Sequence, residues 1–125
     1  MRPTDVHYTK EHEWIRLEGG EGTVGITDYA ARELGDIVFI ELPEVGRTLE
    51  AGESFGTIET VKSVEELYAP VSGTVSEVNL AATDTPEQVN EDPYGEGWLI
   101  KLDEIDTGSA ELMSAEDYGK EIGED

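Results

Sequence analysis

The sequence predicts a mainly β fold, a small sandwich or partly open barrel of short antiparallel strands with short flanking helices. Three observations predict it. Runs rich in β-branched and aromatic residues recur along the chain, and glycines and prolines separate them at turn positions. Only three short segments carry helix-start signals.

Taken in order, Glu13–Glu18 alternates, with Trp14 and Arg16 on one side and Ile15 and Leu17 on the other, and reads as a strand. Gly19-Gly20-Glu21-Gly22 is a flexible turn into a second strand at Thr23–Ile26. Thr27 caps a short helix over Asp28–Leu34, with Asp28 at its positive end and Gly35 as its stop. Asp36–Leu42 is the strongest strand, closed by Pro43. Gly46 and Gly52 bracket a short segment around Thr48–Glu50. Phe55–Val61 and Val64–Ala69 read as the arms of a hairpin with Lys62 at its tip, and Val71–Val78 as another extended stretch. Thr85-Pro86-Glu87-Gln88 reads as a cap, a first-position proline and a glutamine three residues after the cap. Trp98–Leu102 is a late strand, and Ser114 opens a last helix over 114–123.

The chain has 125 residues, with 30 Asp or Glu against 8 Lys or Arg, a formal net charge of -22. That length fits one domain over 1–125. The apolar share of 37% is thin beside the usual about 45–50%, but two Trp, five Tyr and two Phe anchor a core. Having no cysteine excludes a disulfide scaffold, an iron–sulfur cluster, a zinc ribbon and a thiol nucleophile. Nucleic acid is not expected as a partner, because this surface repels polyanions. A membrane is not expected either: the longest apolar run, Ile37–Ile40, falls far short of the roughly 20 residues a span needs. Met1–Asp5 leads into no apolar signal segment. The expectation is a cytoplasmic monomer. With too few cations to pair the carboxylates, the surface reads as adapted to a salt-rich, halophilic cytoplasm, an ordinary acidic protein being the alternative.

Several motifs fail on context. Gly20-Glu21-Gly22-Thr23-Val24-Gly25 matches a dinucleotide fingerprint literally, but its second half is strand where a helix must open. His7 and His12 lack a matching set of metal ligands, so no metal site is expected. There is no nucleophile elbow, and among 30 carboxylates close acid pairs arise by chance. Nothing argues for a self-contained enzyme, and no catalytic residue is expected.

Of four lysines, Lys62 stands out. Gly52 lies ten residues before it and Gly73 eleven after, so the hairpin arms are nearly equal about it. A hairpin tip holds a side chain out from a rigid scaffold, where a modifying enzyme can reach it. Spacing alone does not settle this against an exposed turn lysine with no role.

The blocks Tyr8-Thr9-Lys10-Glu11-His12-Glu13-Trp14, Val24-Gly25-Ile26-Thr27-Asp28-Tyr29-Ala30, Leu34-Gly35-Asp36-Ile37-Val38-Phe39, Glu59-Thr60-Val61-Lys62-Ser63, Tyr68-Ala69-Pro70-Val71-Ser72-Gly73 and Val89-Asn90-Glu91-Asp92-Pro93-Tyr94-Gly95-Glu96-Gly97-Trp98-Leu99 resemble the glycine cleavage system H protein family. The resemblance runs from about His7 to Ile122. It implies a biotin/lipoyl-attachment-type barrel-sandwich of small antiparallel sheets, a single lipoyl-carrier domain, with lipoic acid amide-linked to Lys62. It further implies a shuttle. Glycine decarboxylase (P protein) loads an aminomethyl group on the arm, aminomethyltransferase (T protein) passes its carbon on and releases ammonia, and dihydrolipoamide dehydrogenase (L protein) reoxidises the dithiol. A lipoate ligase or lipoyl transferase installs the arm. One tethered arm serves several active sites without diffusing away. By the same resemblance Glu13 and Glu66 contact the cationic amine of the folded-back arm; Glu66 stands where many relatives have Asp.

Biotin carriers differ in having methionines beside the lysine, and dehydrogenase lipoyl domains in having Asp before it and lacking the Glu-His-Glu-Trp block. A carrier that relays lipoyl groups to other proteins, and an unmodified acidic interaction module, are the alternatives. The acidity carries its own prediction. At about 1 M salt the Debye length is roughly 3 Å, so repulsion among carboxylates is screened. The melting temperature is expected to rise substantially between low salt and molar potassium chloride, and a flat response removes the halophilic reading.

Overall fold

In a computed structural model, which describes residues 2–124, the chain forms nine strands and four helices. The strands are β1 (His7–Tyr8), β2 (Glu13–Glu18), β3 (Glu21–Ile26), β4 (Ile37–Glu41), β5 (Thr48–Leu49), β6 (Ser54–Thr60), β7 (Val64–Tyr68), β8 (Ser72–Val78) and β9 (Ile100–Asp106). The helices are α1 (Asp28–Leu34), α2 (Leu80–Asp84), α3 (Glu87–Glu91) and α4 (Ala115–Ile122). Six strands form one antiparallel sheet in the order β1-β2-β3-β9-β8-β5, and three form a second in the order β4-β6-β7.

The barrel half of the expected barrel-sandwich is overturned: neither sheet closes on itself, and the fold is a sandwich of two open antiparallel sheets. Closure needs outer strands long enough to tilt and pair in a staggered register. Here β1 and β5, at the edges of the larger sheet, are two residues each, and Tyr8 in β1 spends its outward backbone groups on Met113. The inner faces meet in one core: Ile15, Val24, Ile100 and Leu102 from the larger sheet pack with Ile40, Phe55, Ile58 and Leu67 from the smaller. This is the burial that drives the two layers together.

Trp14 and Ile15 are both fully buried although adjacent. Alternation sends Ile15 into the core and Trp14 to the opposite face, where it meets Val6, Tyr8 and Tyr118 in a second cluster. The indole lies against Gly25, where an added Cβ would sit 2.7 Å from its Cζ2, so only glycine admits it. Gly56 serves a similar need, since a Cβ there would lie 2.2 Å from the Glu41 carbonyl oxygen. It lets β4 and β6 approach.

The Thr27 side chain accepts from the Ala30 N–H at 3.1 Å and starts α1, and Ser114 accepts from Asp117 at 3.1 Å and starts α4. At α3 the expected cap differs. Thr85 ends α2, its N–H bonding the Ala81 carbonyl at 2.8 Å, so Pro86 flanks α3 without a side-chain cap. The last strand also starts later and runs further than expected, because β8 offers seven residues of partner along Ile100–Asp106. Among the described residues no helix is long and apolar enough to cross a membrane.

Candidate functional site

The tip between β6 and β7 is Val61-Lys62-Ser63. Thr60 organises it. Its side chain is nearly buried, and its hydroxyl accepts from the backbone N–H groups of Lys62 and Ser63, each at 3.1 Å. The Thr60 N–H in turn donates to the Ser63 carbonyl at 2.8 Å. The tip backbone is thereby fixed while the Lys62 side chain stands in solvent. Among the described residues, six of the eight Lys and Arg side chains sit in ion pairs, and Lys10 and Lys62 do not. In a chain with 30 Asp or Glu, an exposed amine without an ion pair is open to reaction.

Glu13 lies at the start of β2 and is 2% exposed. The Thr9 hydroxyl donates to its Oε1 at 2.9 Å and the Tyr68 N–H to its Oε2 at 3.1 Å. Burial pushes its carboxyl up to about 8, against the pull of those two hydrogen bonds. Beside it His12 takes a left-handed backbone, φ 72°, and its Nδ1 lies 2.8 Å from the Tyr118 hydroxyl. Burial holds that imidazole below its ordinary pKa.

Lys62, Glu13 and Glu66 all line one cleft of about 400 Å³, together with His12, Tyr29 and Tyr68. They differ in engagement. Glu66 is exposed, paired in register with Thr57, and its carboxylate accepts from the Ser54 hydroxyl. Alternation along β7 sets it on the opposite face from buried Leu67, whereas Glu65 shares the face of Leu67. Sequence reasoning missed Thr60 as the organiser of the tip. The signal was a threonine two residues before the lysine, the spacing of a side-chain-to-backbone turn.

Glu13 generates a pH prediction. An acid with a raised folded-state pKa holds its proton more tightly folded than unfolded. Its contribution to stability is therefore full below about pH 4.5 and lost as the pH climbs to about 8. Glu13→Gln cannot ionise and keeps an acceptor for Tyr68. Denaturant titrations should show wild type losing on the order of a few kcal/mol relative to the variant across that window. Parallel pH profiles would mean that the carboxyl ionises as freely folded as unfolded.

A family model described as "Glycine cleavage H-protein" matches residues 6–125. The chain is 54% identical to the glycine cleavage system H protein of Herpetosiphon aurantiacus, covering 98% of this chain and 95% of that one. It is 55% identical to that of Rubrobacter xylanophilus, covering 98% and 96%. A crystal structure of a glycine cleavage system H protein from Mycobacterium marinum superposes with a TM-score of 0.90 at 46% identity, over 97% of this chain and 98% of that one. The two share one overall fold over nearly their whole lengths. The chain belongs to the glycine cleavage H-protein family, and with it to the non-catalytic, lipoyl-bearing carriers that serve the P, T and L proteins of that system.

Proposed function

We propose that Lys62 is the residue that carries the lipoyl group, as an amide on Nζ, and that 1–125 acts as one carrier domain. The observation that carries this is the tip itself, an exposed amine without an ion pair on a backbone fixed by the Thr60 hydroxyl. The residues fit the group, because amide formation needs a reachable amine and removes a charge that no carboxylate here holds. When bound, the group supplies a dithiol on a long tether, which meets each partner enzyme at high effective concentration. The chain's own residues supply attachment, reach and shelter.

For shelter, the reading rests on the cleft lined by Glu13 and Glu66. Glu13 is the more enclosed of the two, and a cationic amine beside it would draw the carboxyl back to its ionised form. Glu66 would act from the rim, in exchange for its Ser54 hydrogen bond. The remaining expectations belong to the same reading: a lipoate ligase or lipoyl transferase as the modifying partner, work in the cytoplasm, and an acidic surface suited to high salt.

Lys62→Arg keeps charge and bulk but offers no amine for a stable amide. It is expected to fold with unchanged melting temperature, show no lipoyl adduct in intact mass, and support no glycine–bicarbonate exchange with the decarboxylase. Normal exchange in that variant overturns the assignment. For the cleft, the measurement is ammonia release from purified aminomethyl-loaded protein. A charged hydrogen bond is typically worth about 1.5–3 kcal/mol, so Glu13→Gln and Glu66→Gln should each speed release about tenfold or more while leaving lipoylation intact. A variant that releases at the wild-type rate removes its residue from the shelter.

A further inference from the structure

The pairing of β4 with β6 slips by one residue between Ile37 and Phe39. Strict alternation would turn one of Ile37 and Ile40 outward, since they are three positions apart. The bulge lets both face the core, at 3% and 2% exposure, and turns the two residues between them out together. Val38 and Phe39 are 51% and 53% exposed. Phe39 lies in register with Glu59, and Glu59 with Val64, which is 62% exposed, so this row crosses all three strands on the outer face. Val61, at 77%, precedes Lys62 at the tip. Of seven exposed large apolar side chains among the described residues, these four gather at the Lys62 end of the smaller sheet.

The next row on the same face is Glu41–Thr57–Glu66, again in register across the three strands. Within the first row Glu59 stands between Phe39 and Val64, so apolar side chains flank one carboxylate there, and the next row carries two more. Exposed apolar side chains gathered around carboxylates mark a contact site, and the sign of those charges selects the partner. The partner this face fits presents an apolar depression flanked by Lys or Arg.

We propose that this face docks the enzyme that acylates Lys62, a reading that rests on Lys62 being the attachment point. That enzyme must bring the activated acyl carbon to Nζ itself. The amine lone pair forms the amide C–N bond, the donor's leaving group departs, and the nitrogen loses a proton. The only reach available is the lysine's own four-carbon stem, so the enzyme has to touch the surface that flanks the tip. Enzymes acting at the far end of an installed arm are under no such constraint.

The test uses the full chain with a purified lipoate–protein ligase and lipoyl-adenylate, read by intact mass. Threonine keeps strand propensity and removes apolar area. The double variant Phe39→Thr/Val64→Thr should lose kcat/KM about tenfold or more, the effect of about 1.4 kcal/mol, through a raised KM with kcat nearly unchanged. Val61→Thr, outside any strand, should lose in the same direction, and KM for wild type should rise with salt. Leu80→Thr, equally exposed but in α2, should match wild type. Wild-type kcat/KM in both the double variant and Val61→Thr overturns the proposal. So does normal lipoylation with lost decarboxylase exchange, which gives the face to that enzyme. Normal lipoylation with lost self-association gives it to a second copy and equally overturns the proposal. A wild type acylated at a residue other than Lys62 defeats the attachment reading instead, and peptide mapping separates that outcome from the rest.

Discussion

Apolar contact between two sheets is favourable but non-directional, and by itself it leaves the layers free to slide. In this fold a buried directional tie between them is the Glu13 carboxyl group. It emerges from β2 in the larger sheet, takes a hydrogen bond from Thr9 in the turn before it, and takes another from the backbone of Tyr68 at the end of β7 in the smaller sheet. The hairpin that carries Lys62 makes its return along that strand, so this side chain helps to set the position of the tip against the larger sheet. Burying a carboxyl costs free energy unless its partners are in place, and both oxygens have them. Its neighbour Trp14 fixes the same strand from the other face.

A carrier needs a reachable group, a fixed base for it and no competing chemistry. The arginines and two of the lysines are occupied by carboxylates, mostly at the surface, where each pair is worth little to stability. Their effect here is selective: they leave Lys62 as an amine without an ion pair at a defined tip. The dense negative charge around it keeps polyanions away and admits partners with basic contact surfaces.

Features set by a few neighbouring residues were legible in the sequence. Thr27, Ser114 and their helices follow from capping chemistry, and the hairpin follows from the near-symmetry of its arms about Lys62. What escaped depends on distant partners. A one-residue slip in β4 leaves no trace in a period-two pattern, because only pairing with β6 reveals it. The five-residue α2 has no side-chain cap; Asn79 before it spends its amide on the carbonyls of Glu96 and Trp98. Helix α2 then claims Thr85, which the local pattern assigned to α3. Open sheets rather than a barrel are a global outcome, decided by how short β1 and β5 are. At the site, Lys62 was singled out by its place in the hairpin and by family resemblance. The burial of Glu13 could not be seen among thirty carboxylates of identical composition.

The larger sheet is built around a strand that arrives late. Strand β9 lies between β3 and β8, pairing residues 22–24 with 100–102 on one side and running along β8 on the other. The smaller sheet, by contrast, is complete by Tyr68 and joins its strands over short separations. As the chain leaves the ribosome, the lysine hairpin can therefore zip up locally, while β3 and β8 wait with open edges for a segment synthesised much later. Contacts of such long sequence separation slow folding and expose pairing edges in the interval. The high negative charge then serves the nascent chain as much as the finished one, because like-charged unfinished sheets repel one another before they can aggregate.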